Sequence, residues 1–498
     1  MISIVSMELA NLGAPNMNNG YLHCLVLGCL LLGASFNVSA ELVGEGPRLK
    51  LENRISQEQI KSGDLSLFDI RQAGLLIFTT PFNKADGHGD GPYDFAVLDQ
   101  RSPVAGNRPT LQGNGSFLRV NGLDSQTCLE CHAIVSNRTV PATLGIGGVG
   151  GINTSAMFQP DSIDVADNDF DGIANFNGRL INPPFLFGSG GVELLGLEMT
   201  HFLRELRQQA IDNPGTVINL ETKGVSFGSI VADNSGALDV SNVEGIDDDL
   251  VVRPFGRKGE FATVREFDVG ALAFHLGMQA AEAFGGEFID ADNDGVANEI
   301  SIGDLSALSI FLTTLKRPVE KRTKNYRVGK KLFHEIGCAD CHRPSMQTHS
   351  THLPYKLTGE PETPYVDIFY EVDLSEAPMS FRINQKGGIS VPLYSDLKRH
   401  DMGYANAENF SLASYEQNRK YITARLWGIA DTAPYMHDGS AFTLVNAIAM
   451  HDDPGSEAKQ SAQNFADLSD KKKNMVLKFL FSLRTPMHPA KDLLSDME

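Results

Sequence analysis

The sequence predicts a mainly α protein built in two halves with long irregular loops. Three observations predict this class. Five segments carry apolar residues at helical spacing, strand signals are sparse, and the pentapeptide C-x-x-C-H occurs twice, at residues 128–132 and 338–342. A chain of 498 residues is too long for one core of ordinary size, so two halves are expected.

Residues 1–40 are predicted to be a secretory signal peptide that is cleaved after Ala40, which predicts a periplasmic location. The apolar segment "YLHCLVLGCLLLGASFNVSA" is too short to span a bilayer comfortably and ends in small residues. No Lys or Arg precedes it. An uncleaved membrane anchor, a start at Met7 or Met17 and lipidation at Cys29 therefore stay open.

The two halves are predicted to be residues 41–320 and residues 325–498. The boundary lies in the charged stretch "RPVEKRTKNYR", which contains a proline. The predicted helices of the first half are "VELLGLEMTHFLRELRQQAI", "VREFDVGALAFHLGMQAAEAF" and "IGDLSALSIFLTTLK". The second half is predicted to open with the helix "YRVGKKLFHEIG" and to close with "SDKKKNMVLKFLFSL".

The cysteines are all accounted for by the repeated pentapeptide once the signal peptide is set aside. An exported protein ordinarily uses four cysteines as disulfides. Of the six cysteines here, Cys24 and Cys29 lie in the segment that is expected to be removed. The other four all fall within the two pentapeptides: Cys128, Cys131, Cys338 and Cys341.

C-x-x-C-H is the attachment signal of c-type haem. Two thiols add to the two vinyl groups of the porphyrin, and positions i, i+3 and i+4 share one face of a helical turn. His132 and His342 can then ligate the irons. A zinc site would need further Cys or His ligands at matched spacing, and a thioredoxin-like pair would open a helix in a βαβ unit. We therefore predict two cytochrome-c-like haem domains, each with one covalent haem c.

Two acidic loops share the pattern D-x-D-x-D-G-[IV]-A-N, at residues 167–175 and 290–298. Oxygens at alternate positions with glycine sixth match the first half of a calcium loop. Neither loop has the glutamate at position twelve, and acidic turns of this kind are common without metal. Both interpretations stay open for the two sets of aspartates, Asp167, Asp169 and Asp171, and Asp290, Asp292 and Asp294.

The charge balance is acidic, with 62 acidic against 42 basic residues and a net charge of −20. No basic stripe is visible, which argues against nucleic acid as a partner. Solubility is the simplest interpretation of this charge, and the sharper one is a surface that steers a cationic redox partner.

Several motifs of the second half are similar to the dihaem oxidoreductase family, described as peroxidases or thiol oxidoreductases. These motifs are "GCADCHRPSM", "YSDLKRHDMG" and "TARLWGIADTAPYMHDGSAFTLVNAIAMHD". The family is related to the bacterial dihaem cytochrome c peroxidases and to MauG. The resemblance covers most of residues 120–490 and is strongest after residue 325.

The resemblance implies ligands in the second half. A residue fourteen places after the histidine of "PYMHDG", which is His437, is the distal ligand of the second haem in the relatives, and here it is His451. Met450 is the alternative, and a His/Met pair would have the higher potential. The carbonyls of Thr432 and Pro434 resemble calcium ligands that lie between the domains of the peroxidases.

For the first haem, the resemblance implies an open iron face and a nearby carboxylate that moves protons. Glu193 in "GGVELL" aligns with that glutamate, although an ordinary surface glutamate is the alternative. His201 either covers the sixth position in a resting state or lies on the polar face of its helix. Relatives place a tryptophan between the haems, but the single tryptophan here, Trp427, lies in a C-terminal motif. Electron transfer directly, or through Tyr or Phe, is therefore expected.

The leading hypothesis is a periplasmic, peroxidase-like dihaem oxidoreductase with a reactive first haem and an electron-transferring second haem. Its expected partners are a small redox protein, as electron donor or acceptor, and a small oxidant such as hydrogen peroxide. A non-catalytic dihaem electron carrier is one alternative, and a MauG-like maturation enzyme that oxidises protein side chains is another. A homodimer, which occurs in related peroxidases, stays open. A thiol–disulfide relay is not expected, because no mature cysteine remains outside the haem motifs.

Overall fold

Helices make up much of the part of the chain that the structure describes. This computed structural model describes residues 54–88, 127–132, 157–163, 176–286, 288–290, 295–357, 365–408 and 415–486. The α-helices are α1 (Gln57–Ser62), α2 (Leu67–Thr79), α3 (Ser189–Asp212), α4 (Val264–Ala271), α5 (Ile302–Thr313), α6 (Tyr326–Glu335), α7 (Tyr415–Arg419), α8 (Leu444–Ala449), α9 (Lys459–Ala466) and α10 (Asp470–Leu480). Capping boxes start α1, α2, α4 and α5, so their first N–H groups are satisfied by side chains.

The helical periodicity of the sequence correctly predicted four of five helices, namely α3, α5, α6 and α10. The expected helix over residues 264–284 is broken. It leaves α-helical geometry after Ala271, continues as one π-turn (Leu272–Leu276) and stops at Gly277 with φ of 63°. A positive φ at glycine ends a helix, and periodicity of apolar residues does not report it.

Strands are more frequent than the sequence suggested. They are β1 (Met157–Ile163), β2 (Phe176–Ile181), β3 (Ile218–Thr222), β4 (Val225–Ala232), β5 (Leu238–Val243), β6 (Val319–Glu320), β7 (Met346–Gln347), β8 (His352–Tyr355), β9 (Tyr370–Asp373), β10 (Arg382–Ile383), β11 (Ile389–Val391), β12 (Arg399–Asp401), β13 (Lys420–Ile422) and β14 (Leu483–Arg484). All pair antiparallel in small sheets, such as the sheet with order β3-β4-β5. The turn between β3 and β4 has positive φ at Lys223 and Gly224, which is hairpin chemistry.

Two clusters of buried apolar side chains hold the described residues, which all belong to one compact unit. In the first cluster, α2 approaches α5 so closely that a Cβ on Gly74 would lie 2.2 Å from the carbonyl oxygen of Ala307. Residues after the predicted boundary also join this cluster, among them Leu353, Phe381 and Leu393 on or near β8–β11. The segment from β7 to β11 therefore packs onto the first half, although it follows the second haem motif in sequence.

The second cluster contains the crossing of α6 and α10, the predicted opening and closing helices of the second half. Phe479 of α10 packs its ring against Tyr326 and Phe333 of α6, with centroids 5.7 and 5.2 Å apart. Beside this contact, β14 pairs with β6, so the end of the described chain is hydrogen-bonded to the predicted boundary segment.

Among the described residues, no helix combines the length and apolar character needed to cross a membrane.

Gly329 lets α6 and α10 approach, because a Cβ there would lie 2.0 Å from the carbonyl oxygen of Met475. We expect Gly329→Ala to lower the free energy of unfolding of the holoprotein by about 2 to 3 kcal/mol, since the helices must separate. Lys331→Ala on the exposed face of α6 is the control and should cost under about 0.5 kcal/mol. Chemical denaturation measures both, and equal midpoints for Gly329→Ala and the wild type would contradict this packing.

Candidate functional site

The first C-x-x-C-H motif lies on a short 3-10 turn beside the end of α2. The Thr127 hydroxyl donates to the carbonyl of Phe78 at 3.0 Å and so ties the turn to that helix. The amide of His132 donates to the carbonyl of Cys128 at 2.9 Å. The imidazole therefore follows the first cysteine by one tight turn, as the spacing of the motif requires.

The imidazole of His132 is held neutral. Burial is the main reason that its pKa falls to about 3, and the nearby imidazole of His275 lowers it further. The carbonyl of Pro184 opposes this weakly. Nδ1 of His132 is buried and has no hydrogen-bond partner among the described residues. A neutral, buried imidazole is the form that ligates a metal.

The second motif repeats this backbone geometry and adds an oriented ring. The amide of His342 donates to the carbonyl of Cys338 at 3.0 Å. Nδ1 of the His342 ring lies 3.2 Å from the carbonyl oxygen of Tyr394 and 3.1 Å from that of Ala424. Two carbonyl acceptors fix the proton on Nδ1, which leaves Nε2 as the nitrogen that can bind iron. Burial is the main cause that lowers the pKa of His342 to about 4, and His451 lowers it further.

His451 lies close enough to His342 to lower the pKa of that imidazole. Its Nδ1 lies 2.7 Å from the carbonyl oxygen of Ala447, and burial lowers its pKa. The alternative ligand, Met450, has its sulfur 3.8 Å from the hydroxyl of Ser440. The fold thus brings His342 and His451 together, and ligation of the second iron by His451 stays a prediction.

These residues fit a haem at each motif. Each motif supplies two cysteine sulfurs and, one turn later, a buried imidazole whose pKa lies well below neutrality. At each motif a second histidine stands nearby, His275 beside His132 and His451 beside His342. Imidazole is a common ligand of haem iron, so each motif has a second histidine that could serve as one.

A competing metal site at the second motif is disfavoured by protonation. Ligand atoms of Cys341, Asp396 and His400 lie within 4.8 Å of one another. Both ring nitrogens of His400 already meet carboxylates, Asp396 at 2.8 Å and Glu457 at 2.6 Å. Burial alone would lower the pKa of His400, but its hydrogen bonds to Asp396, Cys341 and Glu457 raise it to about 12. An imidazolium has no lone pair for a metal, so this cluster is an ion pair beside the haem motif.

Glu193 is buried in the second turn of α3, with 4% of its surface exposed, and is not an ordinary surface glutamate. Its Oε2 accepts a hydrogen bond from the Val264 amide at 2.8 Å. Burial raises the pKa of Glu193 to about 8. Asp268 on α4 is also buried, accepts from the Ser309 hydroxyl at 2.8 Å, and has its pKa raised by burial and by Glu193. The charge of Glu193 therefore affects the pKa of Asp268.

The short helix α4 connects this acidic region to the first haem motif. Asp268 interacts with Glu193, and His275, seven residues later on the same chain segment, interacts with His132. Seven helical residues span roughly 10 Å. Glu193 thus lies in the surroundings of the first motif, where the resemblance expects the acid–base group, and its catalytic role stays a prediction.

His201 does not approach the first motif as a cap. Its side chain is half exposed on α3, 3.6 Å from Glu205 and edge-on to Tyr365. The structure agrees with the alternative of a histidine on the polar face of a helix.

Trp427 is buried and contacts the first half, although it belongs to a C-terminal motif. A Cβ built on Gly188 at the start of α3 would lie 2.8 Å from the indole, and the ring of Phe381 packs 6.3 Å from it. The tertiary structure therefore places the single tryptophan against the helix that carries Glu193.

The predicted calcium ligands are described only in part. The side-chain amide of Asn182 donates to the carbonyls of Pro434 and Met436, both at 2.9 Å. The O and N of an amide are interchangeable by a half turn, and that turn would direct three oxygens at one point. Calcium at Thr432 and Pro434 stays a prediction.

The two acidic loops give little further evidence on calcium binding. Asp290 accepts a hydrogen bond from the Gly295 amide at 3.1 Å, as in an ordinary acidic turn. The remaining predicted loop ligands lie outside the described residues: Asp292, Asp294, Asp167, Asp169 and Asp171.

Residues 277–483 match the family model described as "Di-haem oxidoreductase, putative peroxidase". The predicted family is confirmed for this segment. It contains the second motif and His451, while the first motif and Glu193 precede it.

Solved structures that match the chain include two with low scores. One is a MauG-like protein associated with microbial copper homeostasis, with 17% identity and a TM-score of 0.28, over 51% of this chain and 78% of that one. The other is hydrazine synthase of Kuenenia stuttgartiensis, with 17% identity and a TM-score of 0.20, over 38% of this chain and 58% of that one. At TM-scores this low, neither similarity supports a conclusion about fold or chemistry. No curated protein matches the chain.

Sequence reasoning missed His275 and Asp268, although both occur in a predicted helix. A lone histidine or aspartate on an amphipathic helix gives no sequence signal of a site. Their spacing of seven residues, two helical turns, would have placed them on one face and was the available clue.

The raised pKa of Glu193 predicts a pH dependence of stability. Between pH 4.5 and about 8 the folded protein keeps a proton that the unfolded chain has released, so the free energy of unfolding falls as pH rises. Glu193→Gln should remove one such slope, roughly 1.4 kcal/mol per pH unit, and leave that of Asp268. Denaturation at pH 5, 6, 7 and 8 measures this. Glu205→Gln, exposed on the same helix, is the control, and an unchanged slope in Glu193→Gln would contradict the assigned pKa.

Proposed function

We propose that this protein is a periplasmic dihaem c-type oxidoreductase with peroxidase-like activity. The reactive haem is held by Cys128, Cys131 and His132, and the electron-transferring haem by Cys338, Cys341 and His342. The observation that carries the proposal is the buried carboxyl of Glu193, whose pKa is raised to about 8, in the half that contains His132. A group with that pKa can both take and give a proton near neutral pH.

Haem iron, when bound, supplies the electron chemistry of peroxide reduction. The chain supplies proton positions. Reduction of hydrogen peroxide to two waters needs two electrons and two protons, and one oxygen must lose its proton while the other gains one. Glu193 holds its proton at Oε1, because Oε2 accepts a hydrogen bond from the amide of Val264. Asp268 and the Ser309 hydroxyl stand behind it as further proton positions.

The second motif has the arrangement of an electron carrier. His342 is oriented by the carbonyls of Tyr394 and Ala424, and His451 lies near enough to lower its pKa. A ligand pair that stays fixed in both oxidation states favours fast electron transfer with little rearrangement. An external donor or acceptor would be a small redox protein, and the net charge of −20 favours a cationic one.

A short covalent and hydrogen-bonded path for electrons joins the surroundings of the two haem motifs. Ala424 accepts from His342, and the guanidinium of the next residue, Arg425, donates to the carbonyl of Phe185 at 3.1 Å. Phe185 follows Pro184, whose carbonyl stands beside His132. This path and the nearby indole of Trp427 take the place of the tryptophan that relatives have in the N-terminal half.

One observation favours a second candidate, a dihaem electron carrier. His275 stands beside His132 as His451 stands beside His342, and it lies on a π-turn. Single π-turns inside helices occur often at functional sites. If both irons kept two histidines, neither would have an open position for peroxide.

The leading proposal is tested with protein matured in a host that has cytochrome c assembly machinery. We expect a mass that includes two haems, a high-spin haem in the half-reduced protein that changes on adding peroxide, and peroxide turnover. Glu193→Gln should lower turnover by about 10²- to 10⁴-fold with an unchanged haem spectrum, because the proton position is lost. Glu205→Gln is the matched control and should keep full turnover. Unchanged turnover in Glu193→Gln would remove this residue from the mechanism.

His275→Ala tests the second candidate. We expect this variant to keep two haems by mass and to convert one low-spin haem of the resting protein to high spin, since only one iron loses a ligand. Optical and EPR spectra measure the change, and His201→Ala, the exposed histidine, is the control. Two low-spin haems in His275→Ala would mean that His275 is not a ligand. Wild-type protein that stays fully low-spin and inert to peroxide when half-reduced would favour the carrier.

A further inference from the structure

Arg425 is a buried guanidinium that lacks an anion among the residues the structure describes. Its Nη2 donates to the Phe185 carbonyl at 3.1 Å, and its charge lies over the ring of Phe255 at 5.7 Å. Nη1 is buried and has no hydrogen-bond partner in the described part of the chain. Burial lowers the pKa of this guanidinium to about 10, which shows how unfavourable its charge is in these surroundings.

Two other shielded arginines of this protein differ, because each meets a carboxylate. Arg265 binds Glu282, and Arg419 lies 2.8 Å from Asp401. A buried charge without a partner costs several kcal/mol, and a guanidinium remains charged at any physiological pH. The described protein groups around Arg425 do not offset this cost, so a negatively charged group other than these is expected there.

The position of Arg425 indicates which group this is. Its backbone follows Ala424, the acceptor for His342, and its side chain extends to Phe185, next to the Pro184 carbonyl at His132. The guanidinium thus lies between the surroundings of the two haem motifs and reaches toward the first. The indole N–H of Trp427, two residues later, is also buried without a partner among the described residues.

We propose that Arg425 binds a propionate of the haem held at His132. Haem carries two propionates, and a carboxylate matches the planar fork of a guanidinium. The inference rests on the proposed function, since it needs a haem at the first motif. It assigns Arg425 as an anchor that neutralises the propionate and sets the potential of that haem.

The test measures the midpoint potentials of both haems in the holoprotein, by spectroelectrochemical titration with EPR to separate the two irons. Removing the positive charge beside a propionate stabilises ferric over ferrous haem. We expect Arg425→Gln to shift the first haem about tenfold toward the ferric form, which is 59 mV for a one-electron couple, and to leave the second haem unchanged. Arg425→Lys, which keeps the charge but loses the fork, should shift it less.

Arg322→Gln removes the same charge from an exposed side chain and should change neither potential. Mass spectrometry of each sample counts haems, so loss of the first haem in the wild type would refute the proposed function and not the anchor alone. If Arg425→Gln fails to mature, Arg425→Lys decides the matter. With two haems present, unchanged potentials in the variants that mature would overturn the proposal, and a shift of the second haem alone would overturn its assignment to the first.

Discussion

The structure depends on two imidazoles that are buried without charge. His132 and His342 lie where protonation is strongly disfavoured, and their pKa values fall to about 3 and about 4. A neutral imidazole keeps a lone pair on one ring nitrogen, so both side chains are in the form that can ligate a metal. In each motif the same amide-to-carbonyl bond sets the turn, from His132 to Cys128 and from His342 to Cys338.

The two motifs differ in what surrounds the imidazole, and this difference supports the division of roles proposed for them. The first motif has buried carboxyl groups in its neighbourhood, Glu193 and Asp268, which burial holds protonated near neutral pH. Near the second, Asp396 is also buried, but its hydrogen bond to the His400 ring helps to raise the pKa of that imidazole to about 12. One region can exchange protons near pH 8, and the other has fixed charges. Proton-coupled chemistry therefore fits the first motif better.

The halves are joined by more than a linker. Strands β8–β11 follow the second motif in sequence but complete the first apolar cluster, and β14 pairs with β6 at the predicted boundary. Within that junction lie Arg425 and Trp427, one bonded to Phe185 and the other packed on Gly188. Because segments of the second half pack onto the first half in this way, a tryptophan from a C-terminal motif lies beside α3. Sequence order alone had excluded that position.

The sequence by itself determined the elements whose chemistry is local. The spacing of Cys338, Cys341 and His342 specifies one turn of backbone, and apolar periodicity specified α3, α5, α6 and α10. Only the tertiary structure decided that Glu193 is buried, that His275 rather than His201 stands beside His132, and that Arg425 lacks an anion among the described residues. These are properties of burial and of contacts between distant segments. A pKa shift or an unpaired guanidinium arises from neighbours that packing supplies, and residue spacing along one segment carries no record of them.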